Sequence, residues 1–155
     1  MARELENTSA QLIPNPNWQR GLGSSIRTGV QQLINTSAEA EAVVLLTCDQ
    51  PFVDALVITA LVDAWQNSGK AIVASRYVNT LGIPALFDRS CFDTLAALPD
   101  DSGAKTFIQS RLADILTVEF EAGVFDIDTA ADFERAKARL QTGEDSSVAE
   151  IRTSP

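Results

Sequence analysis

The sequence predicts an α/β fold with a mainly parallel sheet and helices on both faces. Three observations carry that expectation. Apolar runs of strand length alternate with segments of helical periodicity along the chain. The run Ala42-Val43-Val44-Leu45-Leu46-Thr47 is apolar on both faces, as a strand covered from two sides must be. That run stops at Asp49-Gln50-Pro51, and a proline cannot simply continue a strand ladder, so the chain turns there. Ligands of open parallel sheets collect at such carboxyl ends. With 155 residues, 45% of them hydrophobic, the chain is long enough for one domain with a real core.

Taken in order, residues 1–9 are polar and Gln11 to Ile13 reads as a short strand closed by Pro14-Asn15-Pro16. A loop rich in Gly and Ser, Arg20 to Ser25, precedes an amphipathic helix over 25–34, with Ile26, Val30, Leu33 and Ile34 at helical spacing. The strand at 42–47 comes next. A second helix is expected over 54–67, with Ala55, Ile58, Leu61, Val62 and Trp65 inward and Gly69 as its stop. Strands are expected at 71–74 and 83–87, paired antiparallel through a loop at 79–82. Two short helices, over 91–97 and 103–112, lead to a strand at 115–120 and a last helix over 129–140. The domain is thus expected to span residues 1–140, with 141–155 as a mobile polar tail.

A net charge of −9 argues against a nucleic-acid backbone as partner, but not against a nucleotide reached through a divalent cation. With no histidine in the chain, Ser-His-Asp and Cys-His catalysis and histidine-ligated metals are excluded. Carboxylates, lysines and backbone amides remain. Cys48 and Cys91 lack metal-ligand spacing and read as reduced core residues. No run is apolar and long enough to span a membrane and no basic-then-apolar leader is present, so the expected location is cytoplasmic.

Two carboxylate groups stand out. Asp49 ends the central strand, where it could hold a hard cation over a phosphate or simply cap the following helix. Far along the chain lies Asp126-Ile127-Asp128-Thr129-Ala130-Ala131-Asp132. Alternation puts Asp126 and Asp128 on one side of an extended segment, while Thr129 and Asp132 suit a reciprocal helix cap. Two carboxylates on one face repel each other unless a cation or donors compensate. Together with Asp49 they form a candidate magnesium site.

The order of motifs resembles the MobA-like nucleotidyltransferases, in particular the molybdenum-cofactor cytidylyltransferase branch. The matching stretches are Asn15-Pro16-Asn17-Trp18 with Gly21 and Ser24-Ser25, then Cys48-Asp49-Gln50-Pro51, then Gly82-Ile83-Pro84-Ala85-Leu86-Phe87, then Asp101-Ser102-Gly103-Ala104-Lys105, and finally Asp126 to Asp132. Each motif is weak alone; five in family order are specific. The resemblance implies a Rossmann-like nucleotidyltransferase fold and transfer of a nucleoside monophosphate from CTP or GTP to a phosphorylated acceptor such as molybdopterin, with release of pyrophosphate. It assigns Mg2+ and the catalytic role to Asp49 and Asp128, with Asp126 as a second candidate for the late ligand. Ser25 and Gly21 fall in its nucleotide-binding loop, and Ser25 equally suits the N-cap of the first helix. Gly103 and Lys105 fall on the acceptor side, and Gly82 and Pro84 shape the substrate loop.

The chain departs from the pattern in three places. The family's opening strand and Gly-rich triphosphate loop have no counterpart, so the fold is expected to be truncated at its N-terminus and transfer by this chain to be impaired. Ile83 stands where many relatives have histidine, and Asp100 where they have glycine. The truncation leaves the strand at 42–47 with an unpaired edge, which invites self-association. Two further readings stay open: a non-catalytic binding or assembly module of the same fold, and a sugar-nucleotide enzyme.

Overall fold

The computed structural model describes Leu5 and residues 8–142. Apart from residues 141 and 142, which close the last helix, the expected tail lies outside the described residues. The elements are α1 (Leu22–Thr36), β1 (Ala42–Leu45), α2 (Ala55–Ser68), β2 (Ile72–Tyr77), β3 (Thr80–Asp88), α3 (Phe92–Leu95), α4 (Ala104–Gln109), β4 (Ile115–Glu119) and α5 (Ala130–Thr142). The four strands form one sheet in the order β1-β3-β2-β4. β3 runs antiparallel to both β1 and β2, while β4 runs parallel to β2. Three strands therefore point one way and β3 is the single reversed strand. The expected antiparallel pairing near 71–87 is the β2–β3 hairpin.

Side-chain alternation divides the core between the two faces of the sheet. Ile72, Ala74, Ala85 and Phe87 pack with Val30 of α1, Phe92 and Leu95 of α3, and Phe107 and Ile108 of α4. Val73, Leu86, Leu116 and Val118 pack against Ala60, Leu61 and Ala64 of α2. A smaller cluster joins Phe52, Val57 and Phe120 to Ala136 of α5. Helices thus cover both faces, as expected.

Several local expectations need correction. Residues 11–13 form no strand. α1 begins at Leu22 rather than at Ser25, because Gly21 turns the chain at φ +126° and takes the cap position. β1 is half-buried at every residue rather than covered, because among the described residues β3 is its sole partner and none pairs with its other edge. α2 buries Val57, Ala60, Leu61 and Ala64, a face rotated from the expected one, with Ala55 exposed. The helix is apolar nearly all round, so periodicity left its phase open, and the small residues at 60 and 64 let it lie close on the sheet. Gly69 closes it in the left-handed conformation, as expected. The loop at 79–82 contracts to a turn at Val78-Asn79, with strand on either side. Both cysteines are free and Cys91 is buried, but Cys48 is exposed, since it lies past the end of β1 where the sheet no longer covers it.

Candidate functional site

The site is built at the carboxyl end of β1. Past Leu45 the chain leaves the sheet and turns at Gln50, whose carbonyl accepts from the Val53 amide at 3.3 Å. Asp54 then caps α2, its carboxylate accepting from the amides of Leu56 and Val57. The helix cap is therefore Asp54, and Asp49 is released from that role. The Asp49 carbonyl instead accepts from the Ile127 amide at 2.8 Å. This one backbone bond draws the two acidic segments together, because Asp126 and Asp128 flank Ile127. Phe52 and Phe125 meet edge to face at 5.4 Å beneath the junction, and Arg139 lies over both rings.

Oδ1 of Asp49 is buried and has no hydrogen-bond partner. A buried carboxylate oxygen without a donor is costly unless a cation or donor arrives. Asp126 is exposed, but partial desolvation and then the charges of Asp49 and Asp128 raise its carboxyl above the ordinary range. Among the described residues, no three His, Cys, Asp or Glu side chains converge as a ready-made metal cage. The donor set therefore suits a hard cation held by one or two carboxylates and completed by phosphate and water, the usual mode for magnesium. The neighbouring Thr129 and Asp132 form the expected reciprocal cap: the Thr129 amide donates to Asp132 at 2.8 Å and the Asp132 amide to Thr129 Oγ1 at 3.2 Å.

Gln50 ties this acidic junction to the substrate loop. Its Nε2 donates to the Ile83 carbonyl at 3.2 Å and to the Gly123 carbonyl at 3.1 Å, while its Oε1 is buried without a partner. Ile83 lies in a bulge: the β2–β3 register passes from Ala74↔Ala85 to Ser75↔Gly82, leaving Ile83 and Pro84 as extra residues. The Ile83–Pro84 peptide is cis, and the Pro84 carbonyl accepts from Ser75 Oγ at 2.6 Å.

Two adjoining clefts open beside these groups. The smaller, about 180 Å³, brings Gly82, Gly103 and Lys105 together with Thr47 and Tyr77. The larger, about 430 Å³, lies between α1 and β1 and takes in Ser25 and Ile13. Leu22, Ile26, Leu45 and Leu46 line both. Ser25 sits inside α1, its Oγ accepting from Asn15 Nδ2 at 3.0 Å.

Gly21 and Pro84 line neither cleft. Pro84 is fully buried. Gly21 packs on the next loop, where a Cβ would sit 2.3 Å from the Asp100 carbonyl oxygen; one on Gly23 would sit 1.9 Å from that of Pro99. Arg20 pairs with Asp100 at 2.7 Å and Arg27 binds its other oxygen and the Leu98 carbonyl. The hydrogen bond from Arg27 leads in holding the Asp100 carboxyl below its ordinary range. This clamp fixes the loop that delivers Gly103 and Lys105 to the cleft. The sequence assigned no role to Gln50 beyond its motif, nor any to Tyr77. Their signals were a carboxamide amid apolar neighbours and a lone tyrosine five residues before Gly82.

A family model described as MobA-like NTP transferase domain matches residues 1–115. The chain is 25% identical over 125 residues to the purine catabolism protein PucB of Bacillus subtilis, covering 79% of this chain and 58% of PucB. The crystal structure of Rv0371c from Mycobacterium tuberculosis in complex with manganese superposes with a TM-score of 0.56 at 28% identity, over 72% of this chain and 58% of that one. Molybdopterin-guanine dinucleotide biosynthesis protein A of Archaeoglobus fulgidus superposes with a TM-score of 0.64 over 91% of this chain and 74% of its own, but at 17% identity this likeness speaks for the fold alone. The chain spans 58% of the length of the curated relative it matches.

Proposed function

We propose that this chain, which belongs to the MobA-like NTP transferase family, takes part in transferring a nucleoside monophosphate from CTP or GTP to a phosphorylated small-molecule acceptor such as molybdopterin. The observation that carries the reading is the buried, unpartnered Oδ1 of Asp49, in a segment bonded to the one bearing Asp126 and Asp128. In the reaction an acceptor phosphate oxygen attacks the α-phosphorus, the bond to the bridging oxygen breaks and pyrophosphate leaves. Little covalent chemistry falls to the protein; its work is positioning and charge compensation.

Asp49 would hold a divalent cation, with Asp128 or Asp126 as the second carboxylate. Mg2+ is the expected ion, and the manganese complex of Rv0371c supports a divalent one. When bound, such an ion would neutralise phosphate charge that the carboxylates alone would repel. Lys105 and the cleft around Gly82 and Gly103 would receive the acceptor, while Ser25 faces the larger cleft, where the nucleotide base would lie. Gln50 keeps the acidic junction and the substrate loop in register.

The test is calorimetry of CTP and GTP with the full chain, with and without Mg2+ or Mn2+. Metal-dependent binding lost in Asp49→Asn is expected. Nucleotide binding that ignores both metal and Asp49 would overturn the reading. A second reading, a binding or assembly module of the same fold, draws on the open edge of β1; metal-independent association without triphosphate binding would select it.

A further inference from the structure

Tyr77 is the last residue of β2 and lines the smaller cleft. Two glycines make its slot. A Cβ on Gly82 would lie 2.1 Å from the Tyr77 hydroxyl oxygen, and one on Gly123 would lie 2.8 Å from its ring. Gly82 is therefore bare where the phenol passes, and the hydroxyl rests against the same backbone that borders the cleft. Of the groups lining this cleft, Lys105 is the cation, Thr47 and Tyr77 carry hydroxyls, and no carboxylate is among them. In a chain with a net charge of −9, these three groups suit a single anionic oxygen, which Lys105 must hold against the field of Asp126, the charge that reaches the Tyr77 phenol. The rest of the lining, Leu22, Ile26 and Leu46 among it, is apolar.

We propose that Tyr77 is a ligand-contacting specificity residue of this cleft, donating its phenolic hydroxyl to a phosphate oxygen of an acceptor whose apolar part lies against Leu22, Ile26 and Leu46. The inference rests on the transferase reading and deepens its acceptor side. Lys105 supplies charge from a long, exposed, mobile stem. Tyr77 supplies direction, because its ring is held between Gly82 and Gly123 and loses little freedom on binding. Burial first, and then the Asp126 charge, raise the phenol above its ordinary value, so it remains a donor at neutral pH. A ligand without an anionic oxygen forgoes this charge-assisted bond, which is stronger than a neutral one.

Tyr77 is the sole tyrosine of the chain, so its ring signal is unambiguous. The experiment uses the full chain with ring-13C tyrosine, titrated with phenyl phosphate, inorganic phosphate and phenol. Phenyl phosphate is expected to move the ring signal saturably, and phenol at equal concentration to leave it unmoved. Tyr77→Phe keeps the ring shape and should bind phenyl phosphate about tenfold more weakly, the effect of one hydrogen bond to a charged group. CTP with Mn2+ is titrated into the same protein as a separate readout of the transferase reading. A ring signal unmoved at saturating phenyl phosphate, or equal affinity in the Tyr77→Phe variant, would overturn the proposal even with CTP binding intact. Failure of CTP to bind while phenyl phosphate moves the ring would sink the transferase reading and support the Tyr77 contact.

Discussion

Replacing Gln50 by leucine isolates the contact that joins the acidic junction to the substrate loop. Gln50 is 8% exposed, and its Nε2 serves two carbonyls at 3.2 Å and 3.1 Å. Leucine is close in volume, so no large cavity adds to the effect. Two donors disappear. Each bond contributes about 0.5–1.5 kcal/mol net, and a carbonyl left dry costs about 1–3 kcal/mol. The bond to the Ile83 carbonyl is only partly buried, so water can replace the donor and its loss belongs at the low end. Gly123 is buried and belongs at the high end. Removing the unpartnered Oε1 recovers part of the loss.

The balance is a destabilisation of about 2–4 kcal/mol, or a drop in Tm of about 4–16 °C at about 2–4 °C per kcal/mol. Calorimetric melting measures this, and hydrogen exchange at the Ile127 amide reads the local effect, since that amide bonds the Asp49 carbonyl. Protection of Ile127 should fall more than that of Val73 in the core. A Tm change within about 2 °C, with Ile127 still protected, would mean that the junction is held without Gln50. Gln50→Glu should destabilise most at neutral pH and recover as pH falls, because only the protonated acid can donate to a carbonyl.

Four further outcomes follow from the same geometry. Asp49→Asn should weaken Mn2+ binding at least about tenfold in an electron paramagnetic resonance titration, because it removes the charge of the carboxylate with the buried free oxygen. Asp126 is raised above its ordinary 3.8, so without divalent ions the charged folded form is disfavoured; stability should rise as pH falls through the folded value, and Asp126→Asn should be stabilising at neutral pH and lose that advantage in acid. Asp54→Ala removes the cap on the Leu56 and Val57 amides and should cost about 1 kcal/mol in urea unfolding. The open edge of β1 should drive self-association visible by light scattering on concentration, reduced by Leu46→Lys at a residue 48% exposed; a monomer at high concentration would show that the edge is protected in some other way.

Much of the fold was legible because its signals are local. Gly69 stops α2, Thr129 and Asp132 cap α5, and the β2–β3 hairpin follows from two short strands around a turn. Errors arose where local signals were degenerate or absent. α2 is apolar on most sides, so its phase was set by which residues are small enough to approach the sheet. β1 looks two-sided in sequence, yet is half-buried because burial depends on a neighbour that no local pattern reports. The start of α1 was missed by three residues, since Gly21 and Gly23 are dictated by contact with Pro99 and Asp100, far along the chain.

The site divides along the same line. Asp49, Gly82, Gly103, Lys105 and the late aspartates carried motif signals because their chemistry is in their own side chains or backbone. Gln50 and Tyr77 act through groups 33 or more residues away or through glycines that leave room for them. Nothing near Gln50 marks it as a donor to Ile83 and Gly123 until β3 inserts between β1 and β2 and brings its bulge beside the turn. The reversal of β3 is thus what converts an unremarkable amide into the joint between two parts of the site. Moving the bulge by one residue would turn the Ile83 carbonyl away from Gln50, so the spacing from Gly82 to Ala85 is as much a site feature as the aspartates are.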